Sequence, residues 1–477
     1  MVLEIEEFVK QVKTEKISVV EHTEQILEEI KEHNPELHHF NLVAEESALK
    51  QAKEIEAGIK TGRHKGRLLG VPISVKDCIC VKGVESRAGS KILSGYKPTF
   101  DATVIAQAKA EGAIIIGKTS QDEFGFGSFS VNTGIGFSAP KNPNDKERCC
   151  GGSSGGSAGF TAFTQFSHAS IAESTGGSIA CPASFCGVVG FTPTYGRVSR
   201  YGLIDYANSL DKIGTMGKSV GDAALLLEII SGHDPKDSTS LPKNPPNLNA
   251  AEKDAKGLKI GLIKDFVGDG IDKAVEKAVR KSADKLGEKG ATIEKVSLPL
   301  NSKYAIPTYY IIAMSEASTN LARYCGMRYG LHEKLEGTFD EYFSKVRSKG
   351  FGKEAKRRVI LGTFARMSGF RDAYYLKAMK IRTKLIEEYK KTFKKFDVLL
   401  SPVMPSIAPK FSEIEKLTPL QHYYSDLMVG PPNLAGLPHL TLKVEESKGL
   451  PIGVLLTANH LEEEKLVKAG VALEESK

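Results

Sequence analysis

Two sets of short apolar runs, rich in β-branched residues and bounded by glycine, are each separated by a stretch of helical length and spacing. The first set is LLGVPISVK, then DATVIAQAKAEG, then GAIIIGK; the second is LKIGLI, IDKAVEKAVRKSADKLGEKG and ATIEKVSL. An unbroken apolar strand is buried on both faces, and a helix between two such strands brings the chain back in the same direction. The order therefore predicts an α/β fold on a largely parallel sheet.

Around this frame the chain opens with helices over residues 1–60. Ser18 and Glu21 fit a capping box, Val19, Thr23, Ile26 and Ile30 recur on one face, and Ala48, Ala52 and Ile55 continue in a second helix. Residues 234–256, rich in Pro, Asn and charge, predict a surface loop between two halves of one sheet rather than a domain boundary. With 477 residues, 41% of them hydrophobic and 26% charged, the chain has ample material for a core. The net charge of +7 comes from 65 basic residues interleaved with 58 acidic ones, without the basic stripe that a nucleic-acid surface would show. The start, MVLEIEEFVKQ, is acidic, and apolar runs such as AALLLEII fall well short of the roughly 20 residues that span a bilayer. A cytoplasmic protein that does not engage membranes is expected, its seven cysteines reduced.

GAIIIGKT, residues 112–119, satisfies the phosphate-loop pattern by letter. Its centre, Ala113 to Ile116, reads as strand, so the amides that would cradle phosphate are committed to a sheet. Gly151, Ser153 and Gly155 satisfy the G-x-S-x-G elbow of hydrolases. The polar segment APKNPNDKERCC before them does not read as the required strand, and His422 and His439 are the downstream histidines that could serve such a serine. Some twenty residues on, AESTGGSIACPASFCG crowds small residues around a second serine. Consecutive amides at Gly176, Gly177 and Ser178 could converge on a developing oxyanion, or the glycines could serve only a tight turn. Neither serine has a histidine placed near it by sequence. Lys76, ending the run GVPISVK on the face opposite Val71, Ile73 and Val75, is another candidate base, since desolvation among apolar neighbours favours a neutral amine. Cys78, Cys80, Cys149, Cys150, Cys181 and Cys186 fall in the same segments, without the spacing of a structural zinc site.

Together, GVPISVKD, GGSSGGSAG and STGGSIACPASFCG resemble the amidase signature family, in which a lysine activates the nucleophilic serine through a second serine in a cis peptide unit. The resemblance implies Ser178 as nucleophile, Ser153 as the bridging serine and Lys76 as base, with the amides of Thr175, Gly176, Gly177 and Ser178 as oxyanion hole. It implies a single amidase domain over residues 1–477, an α/β/α sandwich on a mixed, mostly parallel sheet. TPTYGRVSRYGLIDYANSLDKIG, YYIIAMSEASTNLARYCGMRYG, KRRVILGTFARMSG and GPPNLAGLP are similar to the glutaminase subunits of tRNA-dependent amidotransferases within that family. Substrate glutamine would then be held by Tyr309, with Tyr310 the neighbouring candidate, by Arg358 at its α-carboxylate and by Asp426 at its α-ammonium.

The same resemblance implies no metal or cofactor in this chain. Ammonia would pass to a kinase/transamidase partner, the B subunit, which uses ATP and Mg, binds most of the mischarged tRNA and amidates Glu-tRNA(Gln) or Asp-tRNA(Asn). A small third component, the C subunit, would complete a heterotrimer. A stand-alone amidase acting on other small amides would keep Lys76, Ser153 and Ser178 without needing Arg358 and Asp426. The chain departs from the family pattern at Ser174, where an acid is usual and Glu173 stands beside it, at Cys150 in place of Pro, and at Ala180 and Cys181 in place of Arg-Gln. The two serine loops are also one residue further apart than is usual.

Overall fold

A computed structural model describes residues 2–62, 65–248, 254–268 and 270–474. Its strands are β1 Phe40–Val43, β2 Pro72–Lys76, β3 Ile114–Thr119, β4 Lys141–Asn142, β5 Asp145–Cys149, β6 Ala169–Ser174, β7 Val189–Thr192, β8 Lys212–Gly217, β9 Lys259–Ile263, β10 Thr292–Val296, β11 Val398–Pro402, β12 His439–Ser447 and β13 Leu450–Ala458. Apart from the small β4–β5 ladder, they form one 11-stranded sheet in the order β1-β3-β2-β6-β8-β7-β12-β13-β11-β9-β10.

Both sequence-predicted strand–helix–strand units are present. β2 and β3 are parallel and joined through the helix Thr103–Ala110, and β9 and β10 are parallel and joined through Lys273–Glu288. The α/β sandwich on a mixed sheet is as expected, but parallel pairing, expected to prevail, is confined to the flanks β3-β2-β6 and β11-β9-β10. From β6 across to β11 every pairing is antiparallel. For one of these pairings the reason is local. β12 and β13 are joined by Lys448 and Gly449, both at positive φ, and such a two-residue turn can only return the chain antiparallel.

The first helices, Ile5–Lys13, Val19–Leu37 and Glu45–Lys60, bury the predicted faces. Ser18 caps Val19–Leu37 by accepting from Glu21 N without the reciprocal capping-box bond, and its hydroxyl donates to Glu56 of the next helix at 2.7 Å. The connection 234–256 has neither helix nor strand in its described part, and residues 249–253 lie outside the described residues. It is packed down rather than loose, with Asp234, Asp237, Ser240 and Leu248 buried. Residues 114–119 of the phosphate-loop pattern form β3, buried throughout, so its amides serve the sheet. No helix among the described residues is long and apolar enough to cross a membrane.

Candidate active site

Lys76 ends β2 and is fully buried. Its Nζ donates to Ser153 Oγ at 2.8 Å, to Glu173 Oε2 at 2.8 Å and to the Glu173 carbonyl at 2.9 Å. The amine thus faces a carboxylate from β6, not the apolar lining anticipated from β2 alone, because β6 pairs directly with β2 and brings its last residues alongside. Three acceptors match the three donors of an ammonium group.

Ser153 lies between β5 and the helix Gly155–Phe163, and the Gly152–Ser153 peptide bond is cis. The glycine-rich run is buried, and its glycines allow close approach rather than mobility. A Cβ at Gly152 would lie 2.2 Å from Asp122 Oδ2 and 2.6 Å from Ser130 N. The second loop joins β6 to the helix Ala180–Cys186 and is tied to the first by Ser154 N donating to the Ser178 carbonyl at 3.2 Å. Ser178 is 5% exposed, more accessible than either Lys76 or Ser153. The backbone N–H groups of Thr175, Gly176, Gly177 and Ser178 donate to no other group among the described residues, which leaves them available to an oxyanion. Neither His422 nor His439 hydrogen-bonds to either serine. His439 is buried against Asn433 and the Leu437 carbonyl, and His422 packs on Phe129.

Over this loop stands the helix Pro299–Asn320. Tyr309 and Tyr310 are both buried but face different groups. The Tyr309 hydroxyl lies against Gly176, where a Cβ would come within 2.6 Å of it, while the Tyr310 hydroxyl donates to Asp426 Oδ2 at 2.6 Å. Burial pushes the Asp426 carboxyl up, against the hydroxyls of Tyr310 and Ser128 and the charge of Arg358, which pull it down. Arg358, on the helix Lys353–Arg366, donates from Nε to Glu354 at 2.9 Å and from Nη1 to the Tyr206 hydroxyl at 2.6 Å. Its guanidinium lies over the rings of Phe126, Tyr310, Tyr206 and Tyr423 at 5.0 to 5.6 Å. Arg358 and Tyr310 line a cavity of about 250 Å³ together with Ser128, Glu354, Arg357 and Tyr423.

The residues given roles by the resemblance therefore fall in two adjoining groups, Lys76, Ser153 and the Ser178 loop in one, and Tyr310, Arg358 and Asp426 in the other, with Tyr309 between them. Sequence reasoning does not single out Glu354, Tyr206 or Asp211. It marks Glu173 only as an acid one place away from its usual position, and that displacement is the available signal.

A buried lysine–serine pair beneath a serine loop with free amides, on a mixed α/β sheet, is the constellation of a serine amide hydrolase. The chain belongs to the amidase family, whose model matches residues 21–467. It is 45% identical over 464 residues to the A subunit of the glutamyl-tRNA(Gln) amidotransferase of Trichodesmium erythraeum (strain IMS101), covering 96% of this chain and 95% of that one. It is likewise 45% identical over 476 residues to the protein of the same name from Thermosynechococcus vestitus, covering 99% and 97%. Among solved structures, the A subunit of the glutamyl-tRNA(Gln) amidotransferase of Thermotoga maritima superposes with a TM-score of 0.81 at 34% identity, covering all of this chain and 95% of the other.

Proposed function

We propose that this chain is the glutaminase subunit of a tRNA-dependent amidotransferase. The observation that carries the reading is the 2.8 Å contact from Lys76 Nζ to Ser153 Oγ, directly beneath a second serine loop with unengaged amides. In this reading Glu173, the ionisable partner of Lys76, takes a proton across their 2.8 Å contact and leaves a neutral amine facing Ser153. Ser178 Oγ attacks Cδ of glutamine while its proton passes to Ser153 Oγ, whose own proton passes to Lys76 Nζ. The oxyanion is received by the amides of the Thr175–Ser178 loop. Collapse breaks the C–N bond, the relay running backwards protonates the leaving nitrogen, and ammonia departs. Water then adds to the acyl-enzyme by the same relay and releases glutamate.

Arg358 offers a rigid fork for the α-carboxylate and Asp426 a charge for the α-ammonium, with Tyr309 and Tyr310 framing the side chain. Ammonia goes to a kinase/transamidase partner, the B subunit, which amidates Glu-tRNA(Gln) or Asp-tRNA(Asn) with ATP and Mg and binds the mischarged tRNA. A small C subunit completes the heterotrimer, and this chain, one amidase domain, works in the cytoplasm without a metal or cofactor of its own. The names of the relatives, shared over nearly the whole length, support this assembly. The deciding experiment measures ammonia released from glutamine, asparagine and a simple aliphatic amide, by wild type and Ser178→Ala, with and without co-expressed partners. Glutamine-selective release, stimulated by partners and lost in the variant, is expected; preferential turnover of the aliphatic amide would make the chain a stand-alone amidase.

A further inference from the structure

Behind Lys76, two buried acids meet at one hydroxyl. Thr175 Oγ1 lies 2.8 Å from Glu173 Oε1 and 2.8 Å from Asp211 Oδ1, and all three residues are buried. A hydroxyl has a single proton to donate, and an ionised carboxylate can only accept. Both contacts are hydrogen bonds only if one of the two carboxyls is itself protonated. We propose that this proton sits on Asp211 Oδ1, which donates to Thr175 Oγ1, while Thr175 donates onward to Glu173 Oε1 and Glu173 stays ionised opposite Lys76.

The surroundings of the two acids decide between them. Glu173 Oε2 touches the Lys76 amine at 2.8 Å, whereas Asp211 has no cation in contact among the described residues. Arg200, the cation nearest in influence to Asp211, is engaged by Asp237 and Thr239, and Asp205 adds a second negative charge although Arg323 pairs with it. Lys212, next in sequence, sends its amine to the Leu437 carbonyl. Asp211 Oδ2 accepts from the backbone N–H of Tyr206 and Ala207 at 2.8 and 2.9 Å, bonds that the carbonyl oxygen of a neutral acid accepts equally. With Asp211 neutral, the charges of Lys76 and Glu173 cancel; an ionised Asp211 would be a buried, uncompensated charge. Burial, and then the neighbouring Glu173, push the Asp211 carboxyl well up.

The consequence is positional. Asp211 and Thr175 commit one oxygen of Glu173 to accepting a hydrogen bond and leave the other to exchange a proton with Lys76. They also anchor the first residue of the loop whose amides face the reaction. Ser174, at the position where the family usually has an acid, cannot substitute, and its hydroxyl is buried without a partner among the described residues. The effect on catalysis rests on the amidase reading above; the location of the proton does not.

The test therefore separates the two, using the full chain. Infrared spectra of Ser178→Ala and Ser178→Ala/Asp211→Asn are recorded above about pH 8 and subtracted, so that the other carboxyls that burial pushes up, Asp122, Glu123, Asp222 and Asp426, cancel. A carbonyl-stretch band of a protonated carboxylic acid, present only in the chain that keeps Asp211, is expected in the difference. Its absence overturns the proposal without reference to turnover. Thr175→Ser should keep the wild-type pH profile of kcat/KM. Thr175→Val, by taking a donor from Glu173, should move its acid limb to higher pH, and an unmoved limb would refute the positional role. If neither the parent chain nor any variant hydrolyses glutamine while the band behaves as stated, the proton assignment stands and the glutaminase reading falls.

Discussion

Tyr310 and Asp426 meet in a 2.6 Å hydrogen bond beside the cavity that Arg358 lines. The bond, with a second from the Ser128 hydroxyl, orients the acid before any substrate arrives. Asp426→Asn should raise the KM for glutamine about 100-fold with a much smaller change in kcat, because it removes a charge-assisted contact made equally in ground and transition states. Tyr310→Phe should cost about tenfold in KM. Steady-state kinetics on glutamine and on its analogue without the α-amino group check this; Asp426→Asn should narrow the preference between them, and an unchanged preference would remove Asp426 from the ammonium site. Since the Asp426 carboxyl is pushed up by burial, KM should begin to rise on acidification at a higher pH than an ordinary aspartate would give.

Arg358 sits over four aromatic rings and is braced by Glu354. A lysine keeps the charge but has neither the planar face nor the fork. Arg358→Lys should therefore raise the glutamine KM by at least about tenfold, approaching Arg358→Ala. Full recovery by lysine would show that charge alone matters there.

Lys76 and Glu173 form an ion pair from which water is almost wholly excluded, with 0% and 4% side-chain exposure. Lys76→Met should abolish turnover and also destabilise the fold by about 3–5 kcal/mol, because it strands a buried carboxylate. Lys76→Met/Glu173→Gln should regain most of that stability and none of the activity. Ser178→Ala should match the loss of turnover while staying within about 1 kcal/mol of wild-type stability. Denaturant titration beside an ammonia assay distinguishes these outcomes, and a stable, active Lys76→Met would refute the role given to the pair.

Asp222 holds the first helix to the body by accepting from Ile5 N at 2.8 Å, and burial pushes its carboxyl up to about 7. The folded value thus lies above the unfolded one. Between roughly pH 4 and pH 7 the unfolded chain ionises this group while the folded chain does not, so its contribution to stability is full below pH 4 and lost as pH rises toward 7. Asp222→Asn keeps an acceptor for Ile5 and should stabilise the protein near neutrality by up to a few kcal/mol, with no gain at about pH 4. Melting curves at the two pH values test the sign.

Sequence carried much of this because backbone requirements leave marks in it. Glycines crowded around Ser153 and Ser178 announce close approach, and the alternation of GVPISVK puts Lys76 on one face of a strand. Alternation cannot say which neighbouring strand supplies the groups opposite, so the carboxylate of Glu173 beside the amine does not follow from it. Asp211 is still less visible, since it depends on β8 lying antiparallel to β6. The antiparallel middle of the sheet is hidden for a related reason: strand runs are legible one by one, while their direction depends on which strands become neighbours, and a short connection such as Lys448-Gly449 fixes it only for β12 and β13. Between Tyr309 and Tyr310, one residue of register on a helix turns each hydroxyl to a different neighbour, a distinction that spacing alone does not resolve.

The groups around Lys76 come from Asp211 and earlier in the chain, whereas the helices bearing Tyr310 and Arg358 and the turn bearing Asp426 follow from Pro299 onward. On the proposed reading, heritable change in the later stretch can thus redefine which amide is admitted while the cutting apparatus is inherited intact, and one ancestral scaffold can supply a lineage with several diets.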